Sequence, residues 1–227
     1  MGMKEKYNSL TIGATDMIRV YGYERSSNTQ KVWWLCDELG VPFESVPKGG
    51  PHSGHKAPDY LKINPNGQIP TIDDEGFILW ESNSIVRYIA ERYGNGRLIS
   101  PDPQKRAIAN KWMDWQLAAL SRPSSALINA VFRKAKPERK PEEVAAAIDG
   151  LATMWKRFES DFGSGPFLAG EFSIGDIGLG IYAHRWLAAD VDGKPEFPVL
   201  KAWHKRLAER PAFQKRVMAA KMPGQPD

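Results

Sequence analysis

The sequence predicts an α/β unit followed by an all-α bundle. Short aromatic and β-branched runs alternate with helix-periodic ones over residues 18–93. A Gly- and Pro-rich stretch, GNGRLISPDP, then breaks the pattern. Beyond it nearly every apolar residue recurs at helical spacing. The 227 residues, set against ~150 per domain, leave room for this division. The expected organisation is a leader over 1–17, an α/β domain over 18–95, a linker over 96–103 and a helical domain over 104–222.

The elements follow in order. Ile18 to Tyr23 is short, apolar and aromatic, hence a strand. Asn28 to Leu39 reads as a helix, with Val32, Leu35, Cys36 and Leu39 on one face and Gly40 as its stop. Phe43 to Val46 is a second strand, and the loop KGGPHSGHKAP leads into the helical turn DYLKIN. Ile69–Ile72 and Phe77–Trp80 are strands joined by the turn residues Asp73, Asp74 and Gly76. Ser84 to Tyr93 closes the unit as a helix. A β-α-β start calls for parallel pairing and the later β-β for a hairpin, so the sheet should be mixed. In the second half, Ile108, Trp112, Trp115 and Ala119 form one stripe, and Val144, Ile148, Leu151, Trp155, Phe158 and Phe162 a second. Ser173 to Asp176 is a capping box with Phe172 and Ile177 as its hydrophobic staple, opening a helix towards Leu187. Further helices are expected over 199–208 and 213–220.

Composition narrows the function classes. Hydrophobic residues make up 42% and charged residues 26%, an ordinary globular balance. The net charge of +4 is spread through the chain without a basic patch, so no nucleic-acid partner is expected. No stretch nears the ~18 consecutive apolar residues of a membrane span, and the leader lacks the apolar region of a secretory signal. The expected address is cytoplasmic. The one cysteine, Cys36, excludes an internal disulfide, a CxxC centre and multi-cysteine zinc sites. His52 and His55 have metal-like spacing but no third ligand nearby, so no metal is expected.

Three polar clusters stand at the ends of elements. In Arg25-Ser26-Ser27-Asn28-Thr29-Gln30, Ser27 and Gln30 satisfy a capping box, which would leave the Ser26 hydroxyl outside the helix for a ligand. Asn28 then lies in the first turn, beside the positive end of the helix dipole, a place suited to an anion or a thiolate. Gln68-Ile69-Pro70 opens a strand, where proline belongs because it cannot donate to the ladder. Glu81-Ser82 opens the third helix, a carboxylate beside a helix N-terminus, which together would match a zwitterion.

RSSNTQKV, INPNGQIPTI, ESNSIVRYIAERY and FSIGDIGLG, in that order, resemble the glutathione S-transferase family, and the likeness runs from Ile18 almost to the end. The resemblance implies a thioredoxin-like domain followed by a helical bundle, a homodimer joined across the third and fourth helices, and glutathione as co-substrate. It places Ser26 where theta- and zeta-like members carry the hydroxyl that meets the glutathione sulfur. Asn28 falls where nu-like members use an asparagine, and which of the two touches the sulfur stays open. Ile69, before a cis Pro70, would pair through its backbone with the cysteinyl part, with Gln68 nearby. Glu81 and Ser82 would take the γ-glutamyl end, and His55 with Lys56 the glycyl carboxylate. The implied activity is activation of glutathione as a thiolate for attack on a hydrophobic electrophile. The alternatives are glutathione-dependent disulfide reduction and a non-catalytic binding or scaffold role. Tyr23, Trp115 and the segment after Leu120 are candidates for the wall that meets the second substrate. The alpha, mu and pi tyrosine is missing, and Cys36 lies too deep in its helix to act as the beta or omega cysteine.

Overall fold

The computed structural model describes residues 17–224, so the expected leader, Met17 apart, lies outside the described residues. Strands β1 (Ile18–Gly22), β2 (Phe43–Pro47), β3 (Thr71–Asp74) and β4 (Phe77–Trp80) form one sheet in the order β2-β1-β3-β4. β1 runs parallel to β2, with Ile18 opposite Phe43, and antiparallel to β3, with Val20 opposite Ile72. β3 and β4 form the hairpin, so the sheet is mixed as expected. The third strand begins at Thr71, two residues later than Ile69, after Pro70, which has no N–H to give to a ladder; the Ile69–Pro70 bond is cis. Helices α1 (Ser27–Leu39) and α3 (Ser82–Tyr93) pack on the sheet, and the short α2 (Pro58–Leu61) precedes the hairpin.

The second half contains α4 (Pro103–Trp115), α5 (Ser121–Leu127), α6 (Pro141–Asp161), α7 (Ile174–Ala188), α8 (Pro198–Ala208) and α9 (Pro211–Phe213). Pro123 has no N–H to give to Ala119, and the chain widens into a π-helical turn over Gln116–Leu120 just upstream. A second such turn, Ile128–Phe132, follows α5, and a third, Gln214–Met218, continues α9. The first stripe sits one residue from its expected place. Ala109, Trp112, Met113, Gln116 and Leu120 are buried, whereas Ile108 is 40% exposed. The α6 seam is as expected, with Ile148, Leu151, Trp155 and Phe158 in the core.

Helix α7 is the central strut. Asp176 in its first turn is fully buried and accepts from Ser173 N (2.9 Å), Ser173 Oγ (3.1 Å), Leu168 N (3.1 Å) and Trp203 Nε1 (2.8 Å). Burial pushes its carboxyl up to about 6, and the four donors favour the ionised form at neutral pH. Gly180 lets α1 approach, since a Cβ there would meet Trp34 and Leu207 at 2.9 Å. Cys36 is completely buried in α1, and burial drives its thiol pKa upwards. Across the same junction Arg210 makes a two-pronged pair with Glu38 at 2.8 and 2.7 Å.

His184 Nδ1 and His204 Nε2 meet at 3.2 Å, their rings nearly parallel and edged by Phe213. Burial, with help from His204 and Arg185, lowers His184 to about 4. The unfolded chain therefore takes up a proton near pH 6.5 that the folded chain refuses, and stability is lost as pH falls from 6.5 towards 4. Between pH 7.5 and 5 this amounts to about 1–2 kcal/mol. Asp176 acts in the opposite sense over the same range, because its folded pKa is raised. The measurement that isolates the histidine is the difference in urea midpoint between the wild type and His184→Leu. That difference should shrink from pH 7.5 to pH 5, and a pH-independent difference would count against the pair as a titrating contact.

Candidate active site

A cavity of about 460 Å³ opens at the N-terminus of α1, between the sheet domain and the helices. Of the expected residues, Ser26, Asn28, His55, Gln68 and Ile69 line it, while Lys56, Pro70, Glu81 and Ser82 are not among the lining residues. Ser26, not Ser27, is the N-cap of α1. Its backbone is extended, and its Oγ accepts from Thr29 N at 3.3 Å. The expectation that Ser26 stands free outside the helix is thus corrected. The cap occupies a lone pair of its oxygen and leaves the hydroxyl proton to donate elsewhere.

Asn28 is oriented from below. Its Oδ1 accepts from Ser82 Oγ (3.2 Å) and from the Tyr182 hydroxyl (3.4 Å). Lys31 Nζ donates to Ser82 Oγ (3.4 Å), so the serine's own proton is directed at Asn28. With its oxygen held by two donors, the carboxamide has its NH2 left for the cavity. Lys31 also donates to Asn83 Oδ1 (3.1 Å) and Gln116 Oε1 (2.6 Å), and lies 5.3 Å from the Tyr182 ring centre. Burial lowers the Lys31 pKa. Burial alone would raise Tyr182, but Lys31, the Ser27 hydroxyl and Arg185 outweigh it and bring the phenol below its ordinary value. An ammonium–phenol couple therefore sits directly under the first turn of α1.

The turn before β3 is clamped by Tyr60, whose hydroxyl donates to Gln68 O at 2.7 Å, and by Asn64 Nδ2 on the same oxygen at 2.9 Å. This fixes Ile69 at the cavity edge, ahead of cis Pro70. His55 lines the cavity with a buried Nδ1 that has no partner among the described residues, which suits an acceptor arriving with a ligand. Lys56 is turned away, donating to Asn66 O at 3.0 Å and bracing the turn. Glu81 is the N-cap of α3 with φ 74°, a conformation costing a non-glycine residue about 1–3 kcal/mol and characteristic of functional sites. Ser82 is buried, its hydroxyl engaged by Lys31 and Asn28, so among its own groups the backbone N–H is what remains for an anion.

The far wall belongs to the helical domain. Ser125, Ile128 and Asn129, from the segment after Leu120, line the cavity with Arg133 and Arg185. Tyr23 lines it too, whereas Trp115 faces a separate groove with Lys111 and Arg157. The sequence motifs did not single out Lys31, Tyr182, Arg133 or Arg185. Lys31, Tyr182 and Arg185 meet their partners through tertiary packing, and Asn129, to which Arg133 donates, is an ordinary helical neighbour at i−4 that marks no site.

The chain matches the profile described as "Glutathione S-transferase, N-terminal domain" over residues 20–97 and that of the "Glutathione S-transferase, C-terminal domain" over 141–206. It is 33% identical over 205 residues to the glutathione S-transferase GstB of Escherichia coli, covering 89% of this chain and 98% of that one. It is 26% identical over 214 residues to the disulfide-bond oxidoreductase YfcG of the same organism, covering 91% and 97%. The theta class glutathione S-transferase from Xanthomonas axonopodis pv. citri, solved with glutathione bound, superposes with a TM-score of 0.85 at 37% identity, covering 90% and 99%. With the mixed sheet, the cis-proline turn and the helical bundle already in place, these likenesses show that the chain belongs to the glutathione S-transferase family.

Proposed function

We propose that the cavity binds glutathione, activates its thiol as a thiolate and directs it at an apolar electrophile, making the protein a glutathione transferase. The observation that carries this reading is the presentation of two donors, the Ser26 hydroxyl and the Asn28 carboxamide, at the positive end of α1. A cysteine-type thiol has pKa ~8.5, so only a few per cent is ionised at pH 7. Lowering it by about two units takes ~2.7 kcal/mol. A hydrogen bond to a charged acceptor supplies roughly 1.5–3 kcal/mol, and the helix end adds to it. No general base is required. Cys36 is out of reach, so the reacting sulfur comes from the co-substrate.

The His55 imidazole, with its unpartnered Nδ1, meets the glycyl carboxylate, the Ile69 backbone holds the cysteinyl unit, and Glu81 receives the γ-glutamyl ammonium. What supports a homodimer is the apolar surface beside α3 and α4: Phe77 packs on Tyr88 yet stays 48% exposed, and Leu117 is 57% exposed. No helix among the described residues is long and apolar enough to cross a membrane. A cytoplasmic address agrees with the lone reduced cysteine and with a need for glutathione.

The test is spectroscopic. Absorbance of the bound thiolate, titrated against pH, should give a midpoint near 6.5 in the wild type, about two units below the free thiol. Ser26→Ala and Asn28→Ala, made separately, should each be compared with it. The one that holds the sulfur should raise the midpoint by about one unit or more; if neither does, the activation site is wrongly assigned. Disulfide reduction is the second reading, favoured by the oriented Asn28 and by the likeness to YfcG. Comparing an aryl halide with a small disulfide as second substrate separates the two.

A further inference from the structure

The wall opposite the activating donors is cationic. Arg185 is only 6% exposed, yet its Nη2 donates to two neutral acceptors, the Arg25 carbonyl at 2.7 Å and Gln30 Oε1 at 3.2 Å. Arg133 donates to Asn129 Oδ1 at 3.1 Å, another neutral group. Among the described residues neither guanidinium is in an ion pair with a carboxylate, and both line the cavity. Arg133 is exposed at the rim of the cavity, whereas Arg185 is buried. A buried charge without a counter-charge costs several kcal/mol, and a chain keeps one such as Arg185 where a ligand supplies the opposite sign. Burial brings Arg185 down to about 10, so it remains charged at neutral pH.

The two carboxylates of glutathione, bound as proposed, do not fill this role. They fall at His55 and at the start of α3, both on the α/β side, whereas Arg133 and Arg185 belong to the helical domain. We infer that the second substrate is an electrophile bearing an anionic group of carboxylate type, its apolar body against Ile128 and its anion between Arg133 and Arg185. Asn129 stands beside them; its Oδ1 is held by Arg133, which leaves its NH2 to donate to a remaining oxygen. This inference rests on the transferase reading and goes further, by fixing the charge of the second substrate. Guanidinium is suited to the task because its planar donor fork matches a carboxylate.

The experiment uses a matched pair, 4-chloro-3,5-dinitrobenzoate and its methyl ester. In both, the glutathione sulfur forms the new C–S bond at the chlorine-bearing carbon, the C–Cl bond breaks and chloride leaves with the bonding pair. The thiol proton has already gone to solvent. Each kcat/KM is divided by the uncatalysed rate with glutathione, which removes the difference in ring electronics. The wild type should favour the carboxylate by about tenfold or more, as one charge-assisted contact provides. Arg133→Gln and Arg185→Gln should each lower that preference by about tenfold, chiefly through KM for the carboxylate. A wild type that favours the ester, or variants that lose both substrates equally, would overturn the inference. So would an Arg185→Gln variant that keeps the preference but raises the thiolate midpoint, since the arginine would then serve the sulfur. Calorimetry with glutathione alone separates the two levels: intact binding with no carboxylate preference sinks this inference only, and no binding at millimolar concentration sinks the transferase reading with it.

Discussion

Asp176→Ala should lower stability by about 3–5 kcal/mol, one of the two largest effects expected in this chain. The carboxylate accepts from four donors at full burial, and alanine would strand Trp203 Nε1, Leu168 N and both donors of Ser173 away from water. For a chain of this size the loss corresponds to a fall in Tm of about 8–15 °C. Asp176→Asn keeps one acceptor oxygen and should recover part of it. Thermal unfolding of the two variants at pH 7.5 checks both statements. A drop of only a degree or two for the alanine variant would mean that α7 is capped by other means.

Lys31→Met should leave the protein folded and impair its chemistry. Methionine is close in volume and removes a charge that is costly to bury, so the net stability change stays within about 2 kcal/mol. What is lost is the donor that directs the Ser82 proton at Asn28 Oδ1, and the cation that holds Tyr182 beneath it. The Asn28 carboxamide is then free to reverse. The thiolate midpoint of bound glutathione should rise by about one unit, and kcat/KM at pH 6.5 should fall about tenfold. Tyr182→Phe removes one of the two donors to Asn28 and should give a smaller shift in the same direction. Lys31 is a positioning residue, so the pH profile is the deciding readout. A drop in rate with an unmoved midpoint would mean that the lysine only supports the fold.

The fold was legible because its signals are local. Alternating strands and helices, the Gly/Pro interruption and the S-x-x-D box before α7 each involve residues within a few positions of one another. Errors arose where a local pattern had a distant owner. Ser27 and Gln30 match a capping box, but Gln30 is buried, with its amide donating to Arg216 O and its oxygen taken by Arg185. That commits Gln30 to the helical domain and passes the cap to Ser26. On α4, the choice between two helical stripes one residue apart was settled by what α7 offers, not by α4 itself. In the site, Ser26, Asn28, Gln68 and Ile69 were visible because they sit at element ends with recognisable turn chemistry. Lys31 was invisible for the opposite reason: a lysine in an amphipathic helix reads as solvated, and its acceptors Asn83 and Gln116 lie 52 and 85 residues away. Arg133 and Arg185 were hidden in the same way, on a wall that exists only once the helices pack.

The depth of Cys36 has a consequence for durability. A catalyst that gathers electrophiles next to a thiolate is surrounded by reagents that alkylate thiols. The attacking species is the ionised sulfur, and here the protein's own thiol is both inaccessible and held in its neutral, unreactive form. The expendable sulfur is the one that arrives with each turnover and leaves in the product. Self-inactivation by cysteine alkylation therefore has to wait for unfolding, which ties the working lifetime of the protein to the stability of the core around α1.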